Sequence, residues 1–240
     1  MSIQPPVIDV CEGFNVIRDD LLEGGTKRRV LSNIVDTFSE EEMVYAATPF
    51  GYGQLALSLV GKDYNKKITI FRPSIDIGDM TSRLILDRLK ELGVTAVEIK
   101  TKNFNEVIDK AKEYANETSK RKFIKPGMDE VLYINELASI VKGINLEPKE
   151  VWCTGGSGAL SRSLQIAWPN AKHFLVSVRS KDSMYGTKLD PGRAEIIKAD
   201  EDFFDTAKEP PPFPSSPNYD AKVWKFLKKY GQKGALFWNM

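Results

Sequence analysis

The chain has 240 residues, enough for one α/β domain or two lobes of roughly 100 residues, each with a core of its own. Its 34 Lys and Arg nearly cancel 33 Asp and Glu, so the whole-chain field exerts little long-range pull toward nucleic acid or an anionic membrane. Cys11 and Cys153 lie far apart without CxxC or ligand-cluster spacing, which argues against a disulfide framework or a cysteine-based metal centre and suits a reducing, cytoplasmic setting.

The N-terminus lacks a basic segment followed by an apolar one, and no apolar run approaches the ~18 residues of a membrane span, so a soluble, unexported protein is expected. No repeat at a fixed period is seen. Residues Met43 to Ala47, Ile68 to Phe71, Val151 to Cys153 and His173 to Val178 are short apolar runs ending at Pro, Gly or Thr, the pattern of buried parallel strands. Helical spacing covers Gln54 to Val60, Met80 to Leu92, and a charged stretch from Asn103 to Lys122 with Phe104, Val107, Ile108 and Ala111 on one face. With a strand at Ala96 to Ile99, the order is βαβαβ, which requires right-handed crossovers and a parallel sheet.

This predicts an α/β fold of two lobes with parallel sheets flanked by helices: residues 41–119 as a smaller lobe, 1–40 with 120–240 as a larger one. The larger lobe is read as a helix from Asp129 through Val141, the Val151 strand, a Gly-rich turn, a helix Ala159 to Ala167, and the His173 strand. Five prolines between Glu209 and Pro217 forbid regular structure there. A helix Asp220 to Tyr230 and a strand Ala235 to Trp238 follow.

Two segments carry candidate chemistry. Thr154, Gly155, Gly156, Ser157 and Gly158 stand between a strand and a helix, where glycines bring N–H groups toward one point and the helix adds its positive end: an anion site suited to phosphate. It is neither a Walker A loop nor a GxGxxG turn, and a purely structural turn is the alternative. Lys27 follows the Gly24-Gly25 pair at a helix start, with Arg28 and Arg29 beside it. Burial and neighbouring positive charge favour the neutral amine needed for imine formation, whereas the bland reading is a solvated basic helix start.

The stretch Val16-Ile-Arg-Asp-Asp-Leu-Leu-Glu-Gly-Gly-Thr-Lys-Arg-Arg resembles the R-D-D-L…G-G-N-K-x-R-K segment of the aminocyclopropane-carboxylate deaminase and D-cysteine desulfhydrase branch of the fold-type II pyridoxal-phosphate proteins, the tryptophan-synthase β-like family. Residues 154 to 158 resemble that family's T-G-S-G-G-T phosphate loop. Pro217-Asn-Tyr-Asp-Ala-Lys, then a helix and Ala235-Leu-Phe-Trp, resembles its D-P-V-Y-x-G-K…V-L-F-x-H-T-G-G ending, with shorter spacing. The resemblance implies a cofactor cleft between two lobes, pyridoxal 5′-phosphate held as a Schiff base on Lys27, and a phosphate cradle at Thr154 to Gly158. It also implies an acidic partner for the pyridine nitrogen at Asp220, for which a helix N-cap is the competing role.

The chain departs from the family at Thr48-Pro-Phe-Gly-Tyr-Gly-Gln, where relatives carry an asparagine that contacts the cofactor's phenolic oxygen. Thr48, Phe50, Gly51, Tyr52 and Gln54, with Tyr219, are the candidate substrate contacts. Ala159 stands where the phosphate loop often has threonine. His173 is read as core or sheet edge.

The resemblance implies a lyase or deaminase acting at Cα or Cβ of an amino-acid-type substrate, as part of amino acid metabolism. Two alternatives stay open: the same chemistry on an amino-acid moiety tethered to a larger molecule such as a modified nucleobase, and a non-catalytic homologue that binds a phosphate compound or a partner. A homodimer and a nucleic acid stay open as partners. No metal is expected.

Overall fold

The computed structural model describes residues 3–49, 51–74, 80–178 and 189–240, without the side chains of 80–82. In chain order its elements are β1 (Ile8–Cys11), β2 (Phe14–Arg18), α1 (Gly25–Ile34), β3 (Glu42–Ala46), α2 (Gly53–Asp63), β4 (Lys67–Pro73), α3 (Met80–Glu91), β5 (Thr95–Ile99), α4 (Phe104–Asn116), β6 (Arg121–Ile124), α5 (Val131–Lys142), β7 (Glu150–Gly155), α6 (Ala159–Ala167), β8 (Lys172–Ser177), β9 (Glu195–Lys198), α7 (Val223–Tyr230) and β10 (Leu236–Asn239). The chain divides at Thr26/Lys27 and Met128/Asp129 into a compact unit of residues Lys27–Met128 and a second of Gln4–Thr26 with most of the chain after Asp129. The sequence pattern placed these boundaries at 40/41 and 119/120.

The first unit is built on a four-stranded parallel sheet, β5-β4-β3-β6, with Val44 opposite Thr69 and Phe123, and Ile70 opposite Ala96. Strand β3 is buried along its whole length, as expected of a parallel strand covered on both faces. Helix α4 lays Phe104, Val107, Ala111 and Ala115, spaced three and four apart, on Val44, Ala46 and Phe71. Its start is set by Asn103, whose side chain accepts the Asn105 N–H at 3.1 Å.

The charged helix expected through Lys122 ends at Asn116, and Arg121–Ile124 is an edge strand on β3. Its polar start reads as helix surface in sequence, but tertiary partners hold it extended. Arg121 donates to Glu42 at 3.1 Å and Glu117 at 2.7 Å and stacks on the Tyr114 ring at 3.6 Å.

The second unit carries a six-stranded sheet, β1-β2-β10-β7-β8-β9, parallel except for the β1–β2 hairpin. The last strand inserts between β2 and β7, so Leu236, Phe237 and Trp238 are fully buried. Phe237 joins Trp152, Val223, Trp224 and Leu227 in the core. The hairpin and β9 are absent from the sequence reading; β1 and β9 lie at the two edges of the sheet and carry no buried residue that would mark them as strands. The helix expected from Asp129 begins at Val131, and the one expected from Asp220 begins at Val223 after a 3-10 turn, Asp220–Lys222. The Pro-rich stretch 209–217 contains neither helix nor strand. Among the described residues no helix is long and apolar enough to cross a membrane.

Candidate functional site

In the first unit, Lys27 is the third residue of α1 and is half-buried. Of the two arginines that follow, Arg28 pairs with Asp63 at 2.7 Å, which offsets its charge, and Arg29 is buried at 6% exposure.

The loop between β3 and α2 is folded back on itself. Gln54 donates through Nε2 to the carbonyls of Thr48 at 3.1 Å and Gly51 at 3.0 Å, and the Gly51 N–H donates to the Thr48 carbonyl at 3.2 Å. Gln54 is wholly buried, and its Oε1 has no hydrogen-bond partner among the described residues. Tyr52 is 43% exposed at the start of α2, and Phe50 lies outside the described residues.

Gly53 joins this loop to Lys27. A Cβ there would lie 2.6 Å from the Tyr45 hydroxyl and 3.4 Å from Lys27 Cδ, so a buried phenol and the lysine stem flank one point. Sequence reasoning passes over Tyr45 because an aromatic in an apolar strand reads as core. The one available signal is a hydroxyl in a strand leading directly into the Thr48 loop.

In the second unit, β7 ends in Thr154 and Gly155, and α6 starts at Ala159. Among the described residues, none accepts a hydrogen bond from the N–H groups of Gly156, Ser157 or Gly158, while the Ser157 hydroxyl accepts the Ala159 N–H at 3.3 Å. Three amides without an acceptor among the described residues, ahead of a nine-residue helix, present donors of the kind that suit an anion. Gly158 sits at φ +91°, and a Cβ on it would fall 1.8 Å from the Asp190 carbonyl oxygen. The Asp190 N–H donates to the Ser157 carbonyl at 2.9 Å.

Two more predicted residues meet this turn. A Cβ on Gly156 would lie 2.9 Å from the Tyr219 hydroxyl. Asp220, 1% exposed, accepts a hydrogen bond from the Thr154 hydroxyl. Asp220 is not the cap residue of its own 3-10 turn, which is Tyr219, nor of α7, which is Lys222, so its carboxylate points to the Gly-rich turn and not to a helix start. Lys222, also 1% exposed, donates to the Asp202 carbonyl at 2.7 Å and anchors the turn that bears Asp220.

Burial, with the Asp220 charge adding to it, pushes the Cys153 thiol up to about 12, which makes it a poor nucleophile at neutral pH. His173 is buried with Nε2 3.0 Å from the Trp168 carbonyl, and burial lowers its pKa. Among the described residues no cluster of side chains could hold a metal ion.

The two sets of residues fit a phosphorylated pyridine aldehyde in chemistry: a lysine amine at a helix start, a turn of undonated amides, and a buried carboxylate beside that turn. No protein-family model matches the sequence, and no curated protein does. Solved structures do match. An ACC deaminase homologue superposes with a TM-score of 0.79 at 15% identity over 99% of this chain and 89% of its own. A fungal L-serine ammonia-lyase from Rhizomucor miehei gives 0.70 at 10% identity over 98% and 92%, respectively. A pyridoxal 5′-phosphate-dependent aspartate racemase gives 0.57 at 16% identity over 71% and 56%. At these identities the likeness establishes the fold: the chain has the fold-type II α/β architecture, with parallel sheets flanked by helices.

Proposed function

We propose that the chain is a pyridoxal-phosphate-dependent enzyme of the lyase or deaminase class, acting at Cα or Cβ of an amino-acid-type substrate. The observation that carries the reading is the Thr154–Asp220 hydrogen bond, which joins a buried carboxylate to a strand-to-helix turn with three undonated amides. Structural neighbours described as an ACC deaminase homologue and an L-serine ammonia-lyase support the reaction class.

When bound, the cofactor supplies an electron sink for the charge left at Cα. Lys27 would hold it through Nζ and, once the substrate's amino group has displaced that bond, its freed amine would take and return the Cα proton. The amides of Gly156, Ser157 and Gly158, with the α6 dipole behind them, bind the phosphate. Asp220 would keep a proton on the pyridine nitrogen, with its carboxylate oriented by the Thr154 hydroxyl. Tyr219 flanks the phosphate turn. Thr48, Gly51, Tyr52 and Gln54 form the loop that receives the substrate, its shape set by the Gln54 bonds to Thr48 and Gly51.

Protein loaded with pyridoxal phosphate is expected to release ammonia and a 2-oxo acid from at least one amino acid in a panel of free D and L forms, and Lys27→Ala to release none. Equal release by both proteins would remove Lys27 from the chemistry. No release by the loaded wild type from any member would contradict the reaction class.

A further inference from the structure

The Tyr45 hydroxyl has a proton to give. Its ring is buried on β3, and its oxygen accepts the Gly127 N–H at 3.3 Å, the one hydrogen bond it makes among the described residues. Burial pushes the phenol up to about 12, the Gly127 bond opposing only in part, so at neutral pH the group is a protonated O–H. A buried hydroxyl whose proton lacks an acceptor is unfavourable by itself, and such groups are commonly satisfied by a ligand or a moving side chain.

The arrangement around it is built to keep it near Lys27. Gly53 has no Cβ, and any Cβ there would meet the Tyr45 oxygen at 2.6 Å. The same point lies 3.4 Å from Lys27 Cδ, two bonds short of the amine nitrogen. Charged groups on the surrounding elements include Arg28, held by Asp63 of α2, Arg29 on α1, Lys62 on α2, Lys125 ahead of Gly127, and Glu42 on β3, whose carboxylate is taken up by Lys67, Thr69, Tyr114 and Arg121. None of the cations can accept a proton, and Asp63 already holds Arg28. A neutral lysine amine has one lone pair to accept with, whereas an ammonium has none.

We propose that the Tyr45 hydroxyl donates a hydrogen bond to the neutral amine of Lys27 and so acts as the positioning residue that keeps this lysine unprotonated, ready to react when the bond is released. Its place in catalysis rests on the reading of Lys27 as the cofactor lysine. The contact with the amine does not, and can be measured without cofactor.

Folded, cofactor-free protein is labelled with trace acetic anhydride at one neutral pH. The Lys27 and Lys172 peptides are then quantified by mass spectrometry, the exposed Lys172 serving as internal standard. Tyr45→Phe is expected to slow Lys27 labelling relative to Lys172 by about tenfold, the equivalent of one pKa unit. An unchanged rate overturns the proposal, and so does a faster one, which would mean that the hydroxyl accepts from the ammonium. Biosynthetic 3-fluorotyrosine keeps the hydroxyl and makes it a stronger donor. It is expected to speed labelling of Lys27, and no gain overturns the proposal even where Tyr45→Phe fails to fold. Unchanged Lys27 reactivity in a protein that still takes up pyridoxal phosphate removes Tyr45 and keeps the cofactor reading. The expected slowing in a protein that takes up no cofactor does the reverse.

Discussion

The Thr154 hydroxyl donates to the Asp220 carboxylate, and both residues are almost wholly buried, at 1% exposure each. A hydrogen bond to a charged, desolvated acceptor contributes about 1.5–3 kcal/mol. Thr154→Val, which keeps the shape and removes the donor, is therefore expected to lower stability by about 2 kcal/mol in urea unfolding, with Thr154→Ser close to wild type. Equal loss in both variants would assign the effect to packing of the methyl group.

Gly158 combines a left-handed backbone with a close approach. Any side chain there carries the strain of φ +91°, roughly 1–2 kcal/mol, and drives into the Asp190 carbonyl, adding about 1–3 kcal/mol of overpacking. Gly158→Ala is expected to reduce stability by about 3 kcal/mol. It is also expected to weaken binding of inorganic phosphate, read as the protection against thermal unfolding that phosphate gives and chloride at equal ionic strength does not. Wild-type phosphate protection in Gly158→Ala would remove this turn from the anion site.

Gly53 and Tyr45 compete for one volume, so their substitutions are non-additive. Gly53→Ala alone is expected to destabilise by about 1–3 kcal/mol. In a Tyr45→Phe background, where the nearest atom is gone, the same change is expected to be milder by about 1 kcal/mol or more. A double-mutant cycle by chemical denaturation measures the coupling, and strict additivity would show that the phenol moves aside without strain.

Glu42 sets the acid limit of the first unit. Burial works to raise its pKa, but hydrogen bonds from Thr69, Lys67, Tyr114 and Arg121 together hold the carboxyl below its ordinary value of 4.5. A carboxylate with a depressed pKa in the folded state stabilises the fold above its unfolded value, and that contribution is lost as the pH falls through the folded one. Stability is thus expected to decline as the pH drops below about 4.5, and Glu42→Gln, less stable at neutral pH, to show a flatter profile there. Parallel profiles in urea titrations from neutral pH to about pH 3 would assign the acid sensitivity to other groups.

Much of the fold was legible because buried parallel strands announce themselves. Met43 to Ala47 is a continuous apolar run, Phe174 to Val176 is the apolar centre of another, and the helix Ala159 to Ala167 matches its observed bounds. Edge elements were harder, since Arg121–Ile124 and Glu195–Lys198 owe their extension to sheet neighbours and not to their own residues. At the candidate site, order along the chain linked Thr154 to Asp220 across 66 residues, and the structure adds the hydrogen bond itself. Tyr45 stayed hidden because its chemistry depends on a neighbour without a side chain, Gly53, which no residue pattern announces.

The central claim is that Lys27 is the residue to which pyridoxal phosphate attaches. Purified protein incubated with pyridoxal phosphate, reduced with borohydride and digested is expected to carry one pyridoxyl group, on the peptide containing Lys27, and Lys27→Ala to carry none under the same conditions. A wild-type Lys27 peptide left unmodified, or label spread equally over surface lysines in both proteins, would contradict the account.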